Sequence, residues 1–121
     1  MERTRIIDHK GTPIVLLDLS DIPSEAELLA EVAKARGFFA ARTPDGSLRT
    51  LTHTSGSAYS KAAVDALREL VAHNREYVKA GAVVTDQQLH RMVISTLALV
   101  TRRNLKAFDD LEAAKDWLIT Q

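Results

Sequence analysis

Residues 13–33, PIVLLDLSDIPSEAELLAEVA, decide the fold. Ile14, Val15, Leu16 and Leu17 are apolar without alternation, the pattern of a strand covered on both faces. Ser24 followed three residues later by Glu27 is a capping box, in which hydroxyl and carboxylate satisfy orphan backbone donors as a helix starts. Leu28, Val32, Ala35 and Phe39 then recur at helical spacing as its buried stripe. An interior strand feeding straight into a helix is the repeating unit of an α/β sheet.

Upstream, residues 5–9 form a second β-type run, and Lys10, Gly11 and Thr12 between the two runs predict a hairpin in which Gly11 supplies a positive φ. Downstream, Pro44 stops the first helix and Asp45 with Gly46 makes a turn. A strand over 48–54 follows, then the turn residues Ser55, Gly56 and Ser57. Val64, Leu67, Val71, Asn74 and Val78 predict a second helix over 60–79, and a strand over 81–85 comes next. Asp86 is the expected cap of a third helix, whose stripe of Leu89, Met92 or Val93, Thr96 or Leu97, and Val100 is the clearest periodic signal in the chain. It ends near Arg102 and Arg103, cations suited to the negative end of a helix dipole. A strand over 105–108 and a last helix, opened by Asp109 with Glu112 and carrying Leu111, Ala114 and Leu118, complete the chain. Strand and helix alternate after the hairpin, which implies right-handed crossovers and a mainly parallel five-stranded sheet with an antiparallel first strand and four helices.

With 121 residues, 45% hydrophobic and 26% charged, the chain has the composition of a globular protein and is expected to fold as one domain, residues 1–121. Sixteen basic residues balance sixteen acidic ones, so no net field draws in a phosphate backbone and nucleic-acid binding is not expected. The absence of cysteine removes disulfides, thiolate metal sites and a cysteine nucleophile together. The first ten residues are charged and the longest purely apolar stretch is four residues, so neither signal peptide nor stable membrane insertion is expected, and the expected compartment is the cytoplasm.

The order of elements resembles the STAS domain of anti-sigma factor antagonists and sulfate transporter tails. Residues 50–58, 74–84 (NREYVKAGAVV) and 106–119 (KAFDDLEAAKDWLI) are similar to a group of small bacterial STAS-like proteins. That resemblance implies a four-turn β-α superhelix, a sheet with its strands in sequential order, and a role in binding or regulation. Two positions depart from the pattern. The antagonists carry a phosphorylated Ser or Thr in an Asp-Ser-Ser-Gly type motif. Laid on Ser60, Lys61, Ala62 and Ala63, it leaves no hydroxyl at either acceptor position, so a conventional phosphosite is not expected. His53 stands where the small-protein group tends to carry Asp.

Ligands of open α/β sheets bind beyond the carboxyl ends of the strands, which makes Asp18, His53, Ser55, Gly56, Ser57, Ser60, Thr85 and Asp86 the candidate rim for a ligand or partner. Within it, residues 52–60 (THTSGSAYS) also read as an ordinary turn and helix cap, with Gly56 turning the chain and Ser57 or Ser60 capping. Asp109 and Asp110 lie on the same rim, and its carboxylates disfavour an anionic ligand. His9, His53, His73 and His90 show no metal-binding spacing, so no metal or other cofactor is expected. No residue is assigned as catalytic: a nucleophile elbow is absent, although His53 as base for Ser55 or Ser57 would make a small hydrolase the alternative reading. Trp117 and Phe108 read as core anchors. Ile94, Ala98 and Leu99 broaden the apolar surface of the third helix beyond its stripe, which predicts a homodimer or an apolar ligand groove beside the second and third helices. The expected function is a non-enzymatic regulatory or binding domain that docks a protein partner or a small apolar ligand.

Overall fold

The computed structural model describes residues 2–57 and 59–121; Met1 and Ala58 lie outside the described residues, the latter within the loop read above as part of a rim. β1 (Thr4–His9) and β2 (Thr12–Asp18) form the expected hairpin. Lys10 and Gly11 at its tip both take positive φ, 50° and 86°, as a two-residue turn that matches strand twist requires. α1 (Glu25–Ala40), β3 (Leu48–His53), α2 (Lys61–His73), a 3-10 turn Asn74–Glu76, β4 (Val78–Val84), α3 (Gln88–Thr101), β5 (Leu105–Phe108) and α4 (Leu111–Leu118) follow. The sheet order is β1-β2-β3-β4-β5, antiparallel in its first pair and parallel in the rest. This is the predicted architecture.

β2 divides the core. Val15 and Leu17 face one layer with Leu28, Val32, Ala35 and Phe39 of α1 and Ala63 and Leu70 of α2. Ile14 and Leu16 face the other, with Leu51, Ala80, Ala82 and Val84 of the sheet and Ala114 and Leu118 of α4. The expected α1 stripe is the buried set, and Ser24 Oγ accepts from the Glu27 amide at 3.2 Å. Trp117 and Phe108 flank the second layer half-buried, their ring centroids 5.7 Å apart.

Three expectations are corrected. The second helix stops at His73, and Val78 opens β4 instead of ending a helix. The run VKAGAVV gains a ladder with β3 and burial of Ala80, Ala82 and Val84, which outweigh the helical spacing of Val78. Asp86 does not cap α3: Gln87 is the N-cap, without a side-chain bond, while the Asp86 carboxylate accepts from the Gly56 amide at 3.3 Å. α4 is capped by Asp110, not Asp109, through the Ala113 amide at 2.9 Å.

α3 departs furthest from expectation. None of its side chains is buried. The expected stripe points outward, with Leu89 69%, Met92 59% and Val100 76% exposed. His90, Ile94 and Leu97 face inward and are only half-buried. Apolar residues surround much of this helix, so periodicity did not mark its inner face; the crossover from β4 to β5 sets the rotation.

Truncations should separate the tight layer from this loose one. Phe39→Ala, at a fully buried ring, is expected to cost about 3–5 kcal/mol, whereas Leu97→Ala should cost ~2 kcal/mol or less, as checked by urea unfolding.

Candidate functional site

The carboxyl ends of β2, β3 and β4 bring several of the predicted rim residues together. Asp18 Oδ1 accepts from the Ser20 amide at 3.2 Å and from its hydroxyl. It also lies 3.9 Å from Arg3 Nη1 and 4.0 Å from His53 Nδ1. Partial burial alone would raise the Asp18 pKa, but the two Ser20 hydrogen bonds and the positive charges of Arg3 and protonated His53 bring it below its ordinary value. Arg3 in turn donates to the Asp18 and Ser20 carbonyls at 3.1 and 3.0 Å, closing the end of β2.

The hydroxyls and amides of the β3–α2 loop are largely occupied by structure. Buried Ser57 donates its hydroxyl to the Leu19 carbonyl and accepts from the Ile22 amide at 2.9 Å, tying the loops after β2 and β3 together. Ser60 caps α2 by accepting from Ala63 N at 3.1 Å. Gly56 turns the chain at φ 79°, and a Cβ on it would run into the Asp21 carboxylate. Ser55 lends its backbone carbonyl to the Asp21 amide at 3.0 Å. The nearest acid to His53 is Asp18, and the Ser57 hydroxyl already has donor and acceptor partners, so the base–nucleophile contact of a serine hydrolase is not formed with Ser57. The rim is a knot of loop anchors, with the Asp18–His53 pair at its surface.

An apolar cleft lies beside it. α2, α3 and the β3–β4 face of the sheet enclose a cleft with a cavity volume of about 190 Å³. Its walls are mainly apolar: Val64, Leu67 and Val71 from α2, Val93, Ile94 and Leu97 from α3, and Leu17 and Val83 from the sheet. Thr50 and Thr52 form a hydroxyl-bearing floor. Gly81 adds room, since a methyl there would stand 3.0 Å from Leu105 Cδ1 and 3.2 Å from Thr50 Oγ1. Tyr59, Thr85 and His90 close the rim end, and Asn74 and Leu105 the opposite one. The Tyr59 hydroxyl donates to the Thr54 carbonyl at 2.8 Å, and its ring meets His90 edge-on at 5.5 Å. Burial and the nearby Asp86 charge push the Tyr59 phenol up, so it stays a neutral donor. Arg68 lies at the mouth, half extended toward Asp65 at 3.9 Å.

Of the eight predicted rim residues, Thr85 alone lines this cleft. Asp18, His53, Gly56, Ser57 and Asp86 cluster around the loop knot, and Ser60 serves α2. The α2 wall residues Val64, Leu67 and Val71 stood in the predicted helical stripe. Asn74 stood in that stripe as well, whereas Tyr59 and His90 were missed as lining groups, because tertiary packing brings them to the cleft and no local motif marks them. Among the described residues no cluster of His, Asp or Glu is arranged to hold a metal ion, and no helix is long and apolar enough to cross a membrane.

A mainly parallel sheet of this order, edged by an antiparallel hairpin and packed by four helices, defines an α/β domain of the STAS type. A family model described as SpoIIAA-like matches residues 4–119, and the chain belongs to that family. Among solved structures it is similar to an uncharacterised protein of the DUF3478 family, with a SpoIIAA-like fold, from Shewanella loihica PV-4. That likeness has a TM-score of 0.68 at 16% identity and covers 95% of this chain and 91% of the other, a likeness of fold alone. No curated protein matches.

Two variants test the loop knot. Gly56→Ala should destabilise by at least ~1–2 kcal/mol, the cost of a left-handed residue with a Cβ, read as a lowered Tm. The folded Asp18 pKa lies below its ordinary 3.8, so the pair stabilises fully above that value and loses its contribution as pH falls through the folded pKa. Asp18→Asn should therefore lower stability at neutral pH, and the gap to the parent protein should shrink in acid denaturation below that range.

Proposed function

We propose that the protein is a binding domain without catalytic machinery that takes a small apolar molecule into the cleft between α2, α3 and the β3–β4 face. The observation that carries the reading is the cavity itself, about 190 Å³ with aliphatic walls and a threonine floor. An engineered apolar cavity of ~150 Å³ stays dry and admits benzene, so this volume suits a compact ligand of one or two rings or a short branched chain. Apolar walls supply affinity, while Thr50, Thr52, Asn74 and His90 provide the few polar contacts that orient a ligand. Membership of a SpoIIAA-like family supports binding over catalysis, and so does the engagement of Ser57 in loop anchoring. A ligand seated between α2 and α3 would also brace a helix that has no buried residue of its own, which couples occupancy to the shape of the outer surface.

Native mass spectrometry after gentle purification, together with titration of N-phenyl-1-naphthylamine fluorescence, tests this reading. Saturable probe binding at one site per chain is expected, and Leu97→Trp, which fills the cleft, should weaken it by roughly tenfold or more without loss of the circular dichroism spectrum. Binding that is unchanged in Leu97→Trp, or absent from the parent protein, would sink the proposal.

A further inference from the structure

The two ends of the cleft differ in charge. At the rim end the Asp86 carboxylate acts on Tyr59. The end closed by Asn74 and Leu105 is cationic instead. Arg103, in the connection between α3 and β5, reaches across to α2 and donates through Nη1 to the carbonyl of the wall residue Val71 at 2.6 Å. Its side chain therefore meets the last turn of α2, not the end of its own helix. Arg103 is half-buried, and the charge acting on it is that of Arg75, a second cation, with no carboxylate offsetting it among the described residues. Burial and, after it, the Arg75 charge lower its pKa from the usual arginine value. A guanidinium withdrawn from water beside another cation is costly until an anion faces it.

Asn74 adds a donor at the same end. It is 6% exposed and lines the cleft. Its carboxamide oxygen lies 3.0 Å from His73 Nδ1, and its NH2 group has no acceptor among the described residues. A buried amide donor left open toward an apolar space favours a ligand that brings an acceptor. The bond to Val71 uses one of the five N–H donors of Arg103, and the others remain for a second partner. A carboxylate, with one charge on two coplanar oxygens, matches a guanidinium edge and an amide donor. The third oxygen of a phosphate would be set against aliphatic Val71 and Leu105.

We infer that the Asn74–Arg103 end of the cleft receives a carboxylate, with exposed Arg75 adding charge from the solvent side, and that the ligand is a compact apolar carboxylic acid. Its hydrocarbon lies between the α2 and α3 walls and points toward Tyr59. The inference rests on the cleft reading above and names the polar end of that ligand.

Isothermal titration with 4-phenylbutyrate and with its neutral amide, 4-phenylbutyramide, tests it, because the two differ only in the group offered to this end. The acid should bind roughly tenfold more tightly than the amide. Arg103→Gln should abolish that preference while leaving amide binding in place, a split that a merely structural role for Arg103 would not produce. Arg75→Gln, at an exposed side chain, should reduce the preference by roughly threefold and carries the same test if Arg103→Gln does not fold. Equal binding of acid and amide would overturn the inference and leave the cleft reading standing, whereas binding of neither would remove both. A preference untouched by either substitution, or acid and amide weakened alike in Arg103→Gln, would also overturn it.

Discussion

Everything in this molecule is arranged around the double burial of β2. A strand with Ile14 and Leu16 on one side and Val15 and Leu17 on the other, all under 10% exposed, cannot rest at an edge or against solvent, because each face removes its own set of apolar groups from water. One face recruits α1 and α2, and the other recruits α4. The antiparallel β1 takes the outer edge beside it, and the crossovers to β3, β4 and β5 extend the sheet away from it.

Packing thins with distance from that strand. α1 buries four residues and α2 two, whereas α3, over the far end of the sheet, buries none. The cleft is the consequence. Small residues and threonines on the cleft-facing side of β3 and β4, with Gly81 among them, do not reach the inward side chains of α3, and the gap between them is lined by aliphatic groups. The same helix turns its leucines and valines outward. One element thus supplies both a wall of the cleft and the exposed apolar face, and its inner contacts are too few to hold it as rigidly as the layer under α1.

The loops at the carboxyl ends of the strands have a different character. Their serines, amides and carboxylates are spent on one another: Ser57 between Leu19 and Ile22, Asp86 on Gly56, Ser20 on Asp18. Loop anchoring of this density keeps the end of the sheet closed and leaves the open space beside α2.

The sequence by itself determined the order and type of the elements, the interior place of β2, the α1 stripe, the cap at Ser24 and the turn at Gly56, and it left the cap of α2 between Ser57 and Ser60, of which Ser60 takes it. Each of these is settled within a few residues, by side-chain period, by an amide reaching a nearby oxygen, or by the φ that only some residues adopt freely. It also marked the third helix as too apolar for a single core. Only the tertiary structure decided which face of that helix looks inward. With apolar residues around most of its circumference, every rotation buries some of them, and the choice falls to the crossover geometry that joins β4 to β5. Tertiary structure likewise ended α2 at His73, where pairing with β3 outweighed helical spacing, and it assembled the cleft from Thr50, Asn74, His90 and Leu105, residues far apart in the chain whose only common property is the space they face.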